Sequence, residues 1–203
     1  MDLRSLTAEN LTCIRGGRLV FRDVSLRVEA GQVLALEGAN GAGKTSLLRM
    51  IAGFLAPESG TITLKSDSKD VHDGEERGKR VGWLGHADAA KPQMTPRETL
   101  RFFADIYCVP GDIDVALDAV GLTRPRDLPA QYLSAGQKKR LALARLKLCG
   151  RPLWLLDEPL AALDADGKAL AAQFIRQHCA AGGIAIAATH EQLGIEVIRI
   201  QLA

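Results

Sequence analysis

The sequence predicts an α/β fold built on a mostly parallel sheet, with a block of helices inserted between its strands. Three observations carry that expectation. Short segments rich in Val, Ile and Leu alternate with helix-like stretches along the chain, the pattern that gives parallel strands covered by helices. One of them, Val33–Glu37, runs straight into a Gly-rich turn and then a helical stretch, Thr45–Phe54. Residues from about Ala87 to Gly150 hold helix signals and no convincing strand.

Taken in chain order, strands are expected near Val24–Val28, Val33–Glu37, Gly60–Leu64, Val81–Leu84, Leu153–Asp157, Ile184–Thr189 and Val197–Leu202. Lys65–Arg80 is dense in charge and poor in apolar residues, so a solvated loop is expected there. Thr95-Pro96-Arg97-Glu98 is a capping box with Pro at the first helical position, opening a helix to about Tyr107. Ser134-Ala135-Gly136-Gln137 is a second capping box, opening a helix to about Cys149. A last helix spans about Asp164 to Ala181 and stops at Gly182-Gly183. The length fits one domain. Residues 1–86 and 151–203 would form its core, and residues 87–150 a helical subdomain.

The composition of the 203 residues, 47% hydrophobic and 25% charged, excludes disordered, collagenous and fibrous classes. A formal charge of +2 provides no global attraction to nucleic acid or anionic lipid. Cys13, Cys108, Cys149 and Cys179 form no CxxC pair and have no His at metal spacing, so buried reduced thiols in a cytosolic protein are expected. No run approaches the roughly 18 unbroken apolar residues of a membrane span. MDLRSLTAEN lacks the pattern of a signal peptide. Work at a membrane would need other chains to span it.

Gly38-Ala39-Asn40-Gly41-Ala42-Gly43-Lys44-Thr45, followed by Ser46, fits G-x-x-x-x-G-K-[ST] in full. Glycines let such a loop wrap phosphates closely, with its N–H groups pointing inward. The helix that follows adds the positive end of its dipole. Lys44 is expected to reach the β- and γ-phosphates of a nucleotide, and the Thr45 hydroxyl to ligate Mg²⁺. Leu153–Leu156 is an apolar run ending in Asp157 and Glu158. This places both carboxylates at the C-terminal edge of a buried strand, where open α/β sheets bind ligands. Asp157 fits the metal side and Glu158 a general base acting on water. His190 follows another apolar strand and is placed to bond a γ-phosphate. His72 and His178 have only surface readings.

Leu133-Ser134-Ala135-Gly136-Gln137 resembles the LSGGQ signature of the ABC ATPases, with Ala135 in place of a Gly. Ala161-Ala162-Leu163-Asp164 is similar to that family's D-loop. P-loop, signature, Asp-Glu strand, D-loop and His190 also stand in the family's order. The resemblance implies an ABC-type nucleotide-binding domain of the P-loop NTPase class. Its parts would be a RecA-like core, an antiparallel β part and an inserted helical subdomain. It further implies ATP and Mg²⁺ as ligands, and a head-to-tail homodimer in which Ser134, Ala135, Gly136 and Gln137 act in trans. Lys138, Lys139, Arg140, Arg145 and Lys147 follow on the signature helix and read mostly as a solvated face.

A narrower resemblance lies in EGANGAGKTSLLRMIAGFLAPESG, GHADAAKPQMTPRETLRFF, LSAGQKKRLALARL and PLWLLDEPLAALDADG. Together they are similar to the ATP-binding subunits of cytochrome c maturation (haem exporter) systems. That implies a CcmB-like permease partner, with CcmC- and CcmD-like proteins nearby, and attachment to the cytoplasmic side of a bacterial inner membrane. ATP hydrolysis would serve haem export or release of a haem-loaded chaperone. His86 stands where most ABC ATPases carry the Q-loop Gln, which makes it a further metal-side candidate. Arg15 stands where an aromatic often stacks on adenine, and a guanidinium can also stack on a base. The competing classes are a soluble ABC ATPase of iron–sulfur assembly or nucleic-acid metabolism, the ATPase of another ABC exporter, and a scaffold that binds ATP without hydrolysing it.

Overall fold

Gly16 and Gly17, both at positive φ, turn the chain between two long antiparallel strands, β1 (Leu3–Arg15) and β2 (Arg18–Glu29). A two-residue turn of this kind matches the twist of the strands it joins. The computed structural model describes residues 2–85 and 90–202. Next come β3 (Val33–Glu37), α1 (Lys44–Ile51), β4 (Ser59–Ser66), α2 (Gly74–Gly78) and β5 (Val81–Leu84). The helical block holds α3 (Pro96–Tyr107), α4 (Ile113–Asp118), a 3₁₀ turn at Ala130–Tyr132 and α5 (Ala135–Leu148). The chain returns to the core with β6 (Leu153–Asp157), α6 (Ala165–Ala180), β7 (Ile184–Ala188) and β8 (Ile198–Gln201).

Two sheets result. β2-β1-β4 is antiparallel, and β5-β6-β7-β3-β8 is parallel at every pairing. The central strands of the parallel sheet are apolar runs because both faces are covered. Successive residues of β6 and β7 point to opposite layers. Leu153, Leu155, Ile184 and Ile186 join the layer with α1 and the antiparallel sheet. Trp154, Leu156, Ala185 and Ala187 join the layer with α5 and α6. Truncating one buried Leu here, such as Leu155, would cost about 2–5 kcal/mol.

Several expectations need correcting. β1 was not foreseen, and β2 starts six residues before the expected Val24. Lys65–Arg80 is not a solvated loop. Val71 is buried and bridges to Leu64, and α2 is capped by Asp73. Arg77 is buried and donates to the carbonyls of Met50, Ile51, Ile62 and His72. Two of those carbonyls end α1, so a cation closes the negative end of the helix that starts at the Gly-rich loop. Cys108 is exposed while the other three cysteines are buried. His178 is buried and stacked on Trp154 with centroids 4.0 Å apart. Lys139 is buried as well, and Arg145 donates to the Trp83 carbonyl at 2.7 Å. The signature helix is therefore no uniformly solvated face.

Candidate active site

The Gly-rich loop leaves β3 at its C-terminal edge and enters α1 at Lys44. Gly43 sits at φ 95°, and a Cβ there would meet Phe21 and Val20 side chains at 2.7 Å. Only glycine allows this turn while β2 packs against it. Lys44 is buried, and its Nζ donates to the carbonyls of Gly38 at 2.7 Å and Ala39 at 3.1 Å. It also lies 3.2 Å from His190 Nε2. Since an ammonium only donates, Nε2 is the acceptor in this contact.

Parallel pairing brings the other groups to the same edge. Thr45 Oγ1 lies 3.1 and 3.0 Å from the two Asp157 carboxylate oxygens. Asp157 ends β6 and is itself buried. Glu158, next in the chain, adopts φ 47°, and its N–H donates to the Ala188 carbonyl of β7 at 2.9 Å. That unusual backbone turns its carboxylate toward His190, with Oε1 3.6 Å from Nε2. Strain of this kind persists only where surrounding contacts hold it.

A cavity of about 560 Å³ is lined by Arg15, Val20, Asn40, Gly41, Gly43, Lys44, Thr45, Ser46, Asp157, Glu158 and His190. Gly38, Ala39 and Ala42 belong to the loop but not to this lining, and Ala42 N–H donates to the Ala39 carbonyl at 3.2 Å. The arrangement offers amides, an ammonium and a helix N-terminus for phosphate. A hydroxyl and carboxylate pair offers hard oxygens suited to Mg²⁺, and a second carboxylate is placed for a proton. Ser134, Ala135, Gly136 and Gln137 are not part of it. They line a separate cavity of about 550 Å³ with Gly121, Arg140, Ala162 and Asp164. There Ser134 Oγ accepts from Gln137 N–H at 3.2 Å, and the Gln137 side chain accepts from Ser134 N–H at 2.9 Å. His86 lies outside the described residues.

The ABC transporter family profile matches residues 21–161. Over 191 residues the chain is 48% identical to the cytochrome c biogenesis ATP-binding export protein CcmA of Rhodopseudomonas palustris strain BisB5, covering 94% of each chain. Over 199 residues it is 46% identical to CcmA of Nitrobacter winogradskyi, covering 97% of each. The chain belongs to the ABC transporter family, in its CcmA branch. Two solved structures share the fold at 23% identity. One is the ATP binding subunit of an ABC transporter, with a TM-score of 0.79 over 91% of this chain and 79% of that one. The other is an ABC transporter ATP-binding protein from Pyrococcus furiosus, with a TM-score of 0.80 over 98% and 97%.

Within this ABC architecture, two neighbours of the site escaped the sequence reading. Val20 lines the cavity beside Arg15 because the hairpin register sets Arg15 opposite Arg18. Gly16-Gly17 was the signal for that hairpin. Arg140 pairs with Asp164 at 2.6 Å, a contact between two motifs that no local pattern announces.

Proposed function

We propose that the chain is the ATP-hydrolysing subunit of an ABC transporter of cytochrome c biogenesis, driving haem export or release of a haem-loaded chaperone. The convergence of Lys44, Thr45, Asp157, Glu158 and His190 on one cavity carries the hydrolytic reading. Lys44 and the loop amides hold the β- and γ-phosphates in place of the carbonyls Lys44 now contacts. Thr45 and Asp157 would hold Mg²⁺, which supplies charge neutralisation on the phosphates when bound. Glu158 accepts the proton of the attacking water. Once Lys44 turns to phosphate, His190 Nε2 no longer accepts from it, and in the tautomer with its proton on Nε2 the ring donates to a γ-phosphate oxygen. Arg15 and Val20 offer a guanidinium plane and an apolar side chain to the base.

The two cavities share no residue, which supports a head-to-tail homodimer with each ATP between one P-loop and the other chain's signature. Among the described residues, no helix is long and apolar enough to cross a membrane. A CcmB-like permease, with CcmC- and CcmD-like proteins, would then supply the span and hold this subunit at the cytoplasmic face. The segment from Ala87 to Tyr107 is the proposed contact, with residues 87–89 outside the described residues. In α3, Phe102 and Ile106 are exposed, whereas Phe103 is half-buried between Tyr107 and the Arg145 guanidinium. Lys91 Nζ sits 5.7 Å from the Phe102 ring centroid. Co-expression with the permease tests this reading. Lys91→Glu and Phe102→Ala should each reduce co-purification and leave ATP affinity unchanged. Unchanged co-purification would sink the docking surface, and absence of ATP hydrolysis by the wild-type complex would sink the enzyme.

A further inference from the structure

The loop from Glu158 to Asp164 has to leave the active-site edge and reach the start of α6. Two of its non-glycine residues, Glu158 and Ala162, take left-handed backbone angles of 47° and 64°. Such residues cost stability and need outside contacts to hold them. At the Glu158 end the contact is with β7, through the Ala188 carbonyl. At the other end it is with the signature helix. A Cβ on Gly136 would lie 2.9 Å from the Ala162 carbonyl oxygen, so the loop backbone rests directly on the first turn of α5. One turn further along α5, Arg140 Nη2 donates to Asp164 Oδ1 at 2.6 Å. The same oxygen accepts from Gly167 N–H at 2.9 Å and so caps α6. Both donors hold the Asp164 carboxyl below its usual range, the backbone bond more than the guanidinium.

We infer that Arg140 is a positioning residue: through Asp164 it locks the D-loop to the signature helix, so the trans phosphate surface and the loop leading from Glu158 move as one body. The inference rests on the homodimer reading above. The pair is partly exposed, the Arg140 side chain 21% and that of Asp164 69%, so its role is geometric and not a source of bulk stability. Ser134 and Gln137, already fixed to each other by the capping box, are thereby fixed to the loop as well. A partner's nucleotide that engages this helix start pulls on the D-loop at Asp164, six residues from the same chain's own Glu158. Arg140 touches neither water nor phosphate in that scheme.

The test uses the full-length chain with Arg140→Gln, Arg140→Lys, Asp164→Asn and the Arg140→Gln/Asp164→Asn double variant. Asn at 164 keeps an oxygen for the Gly167 amide and removes the charge. Nucleotide affinity should stay within about twofold of wild type, because the P-loop cavity shares none of these residues. The turnover number should fall about tenfold for Arg140→Gln and for Asp164→Asn. It should fall no further in the double variant, as expected for two residues acting as one unit. Arg140→Lys should recover part of the loss. Without nucleotide, hydrogen exchange at the Ala161 and Leu163 amides, which bond Glu158 and Leu160 carbonyls, should quicken in Arg140→Gln and not in the surface control Arg101→Gln. Multiplicative losses, wild-type turnover in Arg140→Gln, or unchanged exchange would each overturn the inference. The exchange measurement needs no dimer, so it separates failure of the lock from failure of the ATPase reading.

Discussion

Two cavities of nearly equal size, about 560 and 550 Å³, differ in what they already contain. The P-loop cavity gathers an ammonium, a hydroxyl, two carboxylates and an imidazole from three strand ends, with Lys44 bonded to His190, Thr45 bonded to Asp157, and Glu158 3.6 Å from His190. The signature cavity offers a capped helix start, backbone and one ion pair. One is chemically complete for binding and proton transfer. The other can recognise an anion, and its carboxylate, Asp164, is already held by Arg140 and the Gly167 amide. The difference supports the proposed head-to-tail dimer, in which the second cavity would contribute only when it closes over the first.

Breaking the complete cavity should have the largest effects. Glu158→Gln should keep ATP binding and slow hydrolysis by roughly 10²–10⁴-fold, the usual worth of a general base. An ATP-bound dimer should then accumulate and be visible by size-exclusion chromatography. Wild-type hydrolysis in that variant would remove Glu158 from the mechanism. Lys44→Ala should weaken ATP binding by roughly 10- to 100-fold, since a charge-assisted hydrogen bond is worth about 1.5–3 kcal/mol. Fluorescent-nucleotide titration would show it, and an unchanged affinity would contradict the phosphate cradle.

The complete cavity was also the more legible one, and the reason is locality. Gly38–Ser46 carries its chemistry in contiguous residues. The core strands are apolar runs whose limits show in the sequence: Val33–Glu37, Val81–Leu84 and Leu153–Asp157 match β3, β5 and β6 at both ends, and the strand before His190 ends one residue short of the expected Thr189. What stayed hidden depends on distant pairing. Thr45 meets Asp157 across 112 residues and Lys44 meets His190 across 146. β1 escaped because register shifts between Ala8 and Leu11, with Asn10 at φ 51°, break the alternation that marks a strand. Arg77 and Arg140 read as solvated charges. Their partners are backbone carbonyls in one case and a loop carboxylate in the other, and neither has a sequence signature.

A third experiment asks whether the two cavities share a foundation. β6 carries Asp157 to one, and α6 is capped by Asp164 in the other. The Trp154–His178 stack, with planes 6° apart, joins that strand to that helix. Burial pushes the His178 pKa from 6.5 down to about 4, against the smaller opposing effect of hydrogen bonds to the Ile184 and Pro152 carbonyls. The folded chain therefore keeps this ring neutral where the unfolded chain protonates it. Stability falls as pH drops below about 6.5, and the loss is complete near pH 4. Its size is about 3 kcal/mol. His178→Gln keeps a donor for the Ile184 carbonyl and cannot titrate. Urea unfolding at pH 7.5, 5.5 and 4 should show the acid loss shrinking by that amount in the variant. Parallel pH profiles for the two proteins would rule the stack out as the acid-sensitive joint.

The smallest effect makes the sharpest contrast between structural and trans-acting roles. Thr95 and Ser134 head the same device: each hydroxyl accepts from an amide three residues on, at 3.1 and 3.2 Å, and each is answered by the side chain at that position. Alanine at either site removes one cap and should lower stability by about 1 kcal/mol. Thermal unfolding of Thr95→Ala and Ser134→Ala should therefore look alike. Their enzymology should not. Thr95 starts α3, away from both cavities, so its variant should hydrolyse ATP at the wild-type rate once folded. Ser134 lines the second cavity, so its variant should bind ATP normally yet turn over more slowly and trap less dimer in the Glu158→Gln background. If both variants lose turnover equally, the second cavity has no role beyond helix capping, and the division of labour between the two cavities fails with it.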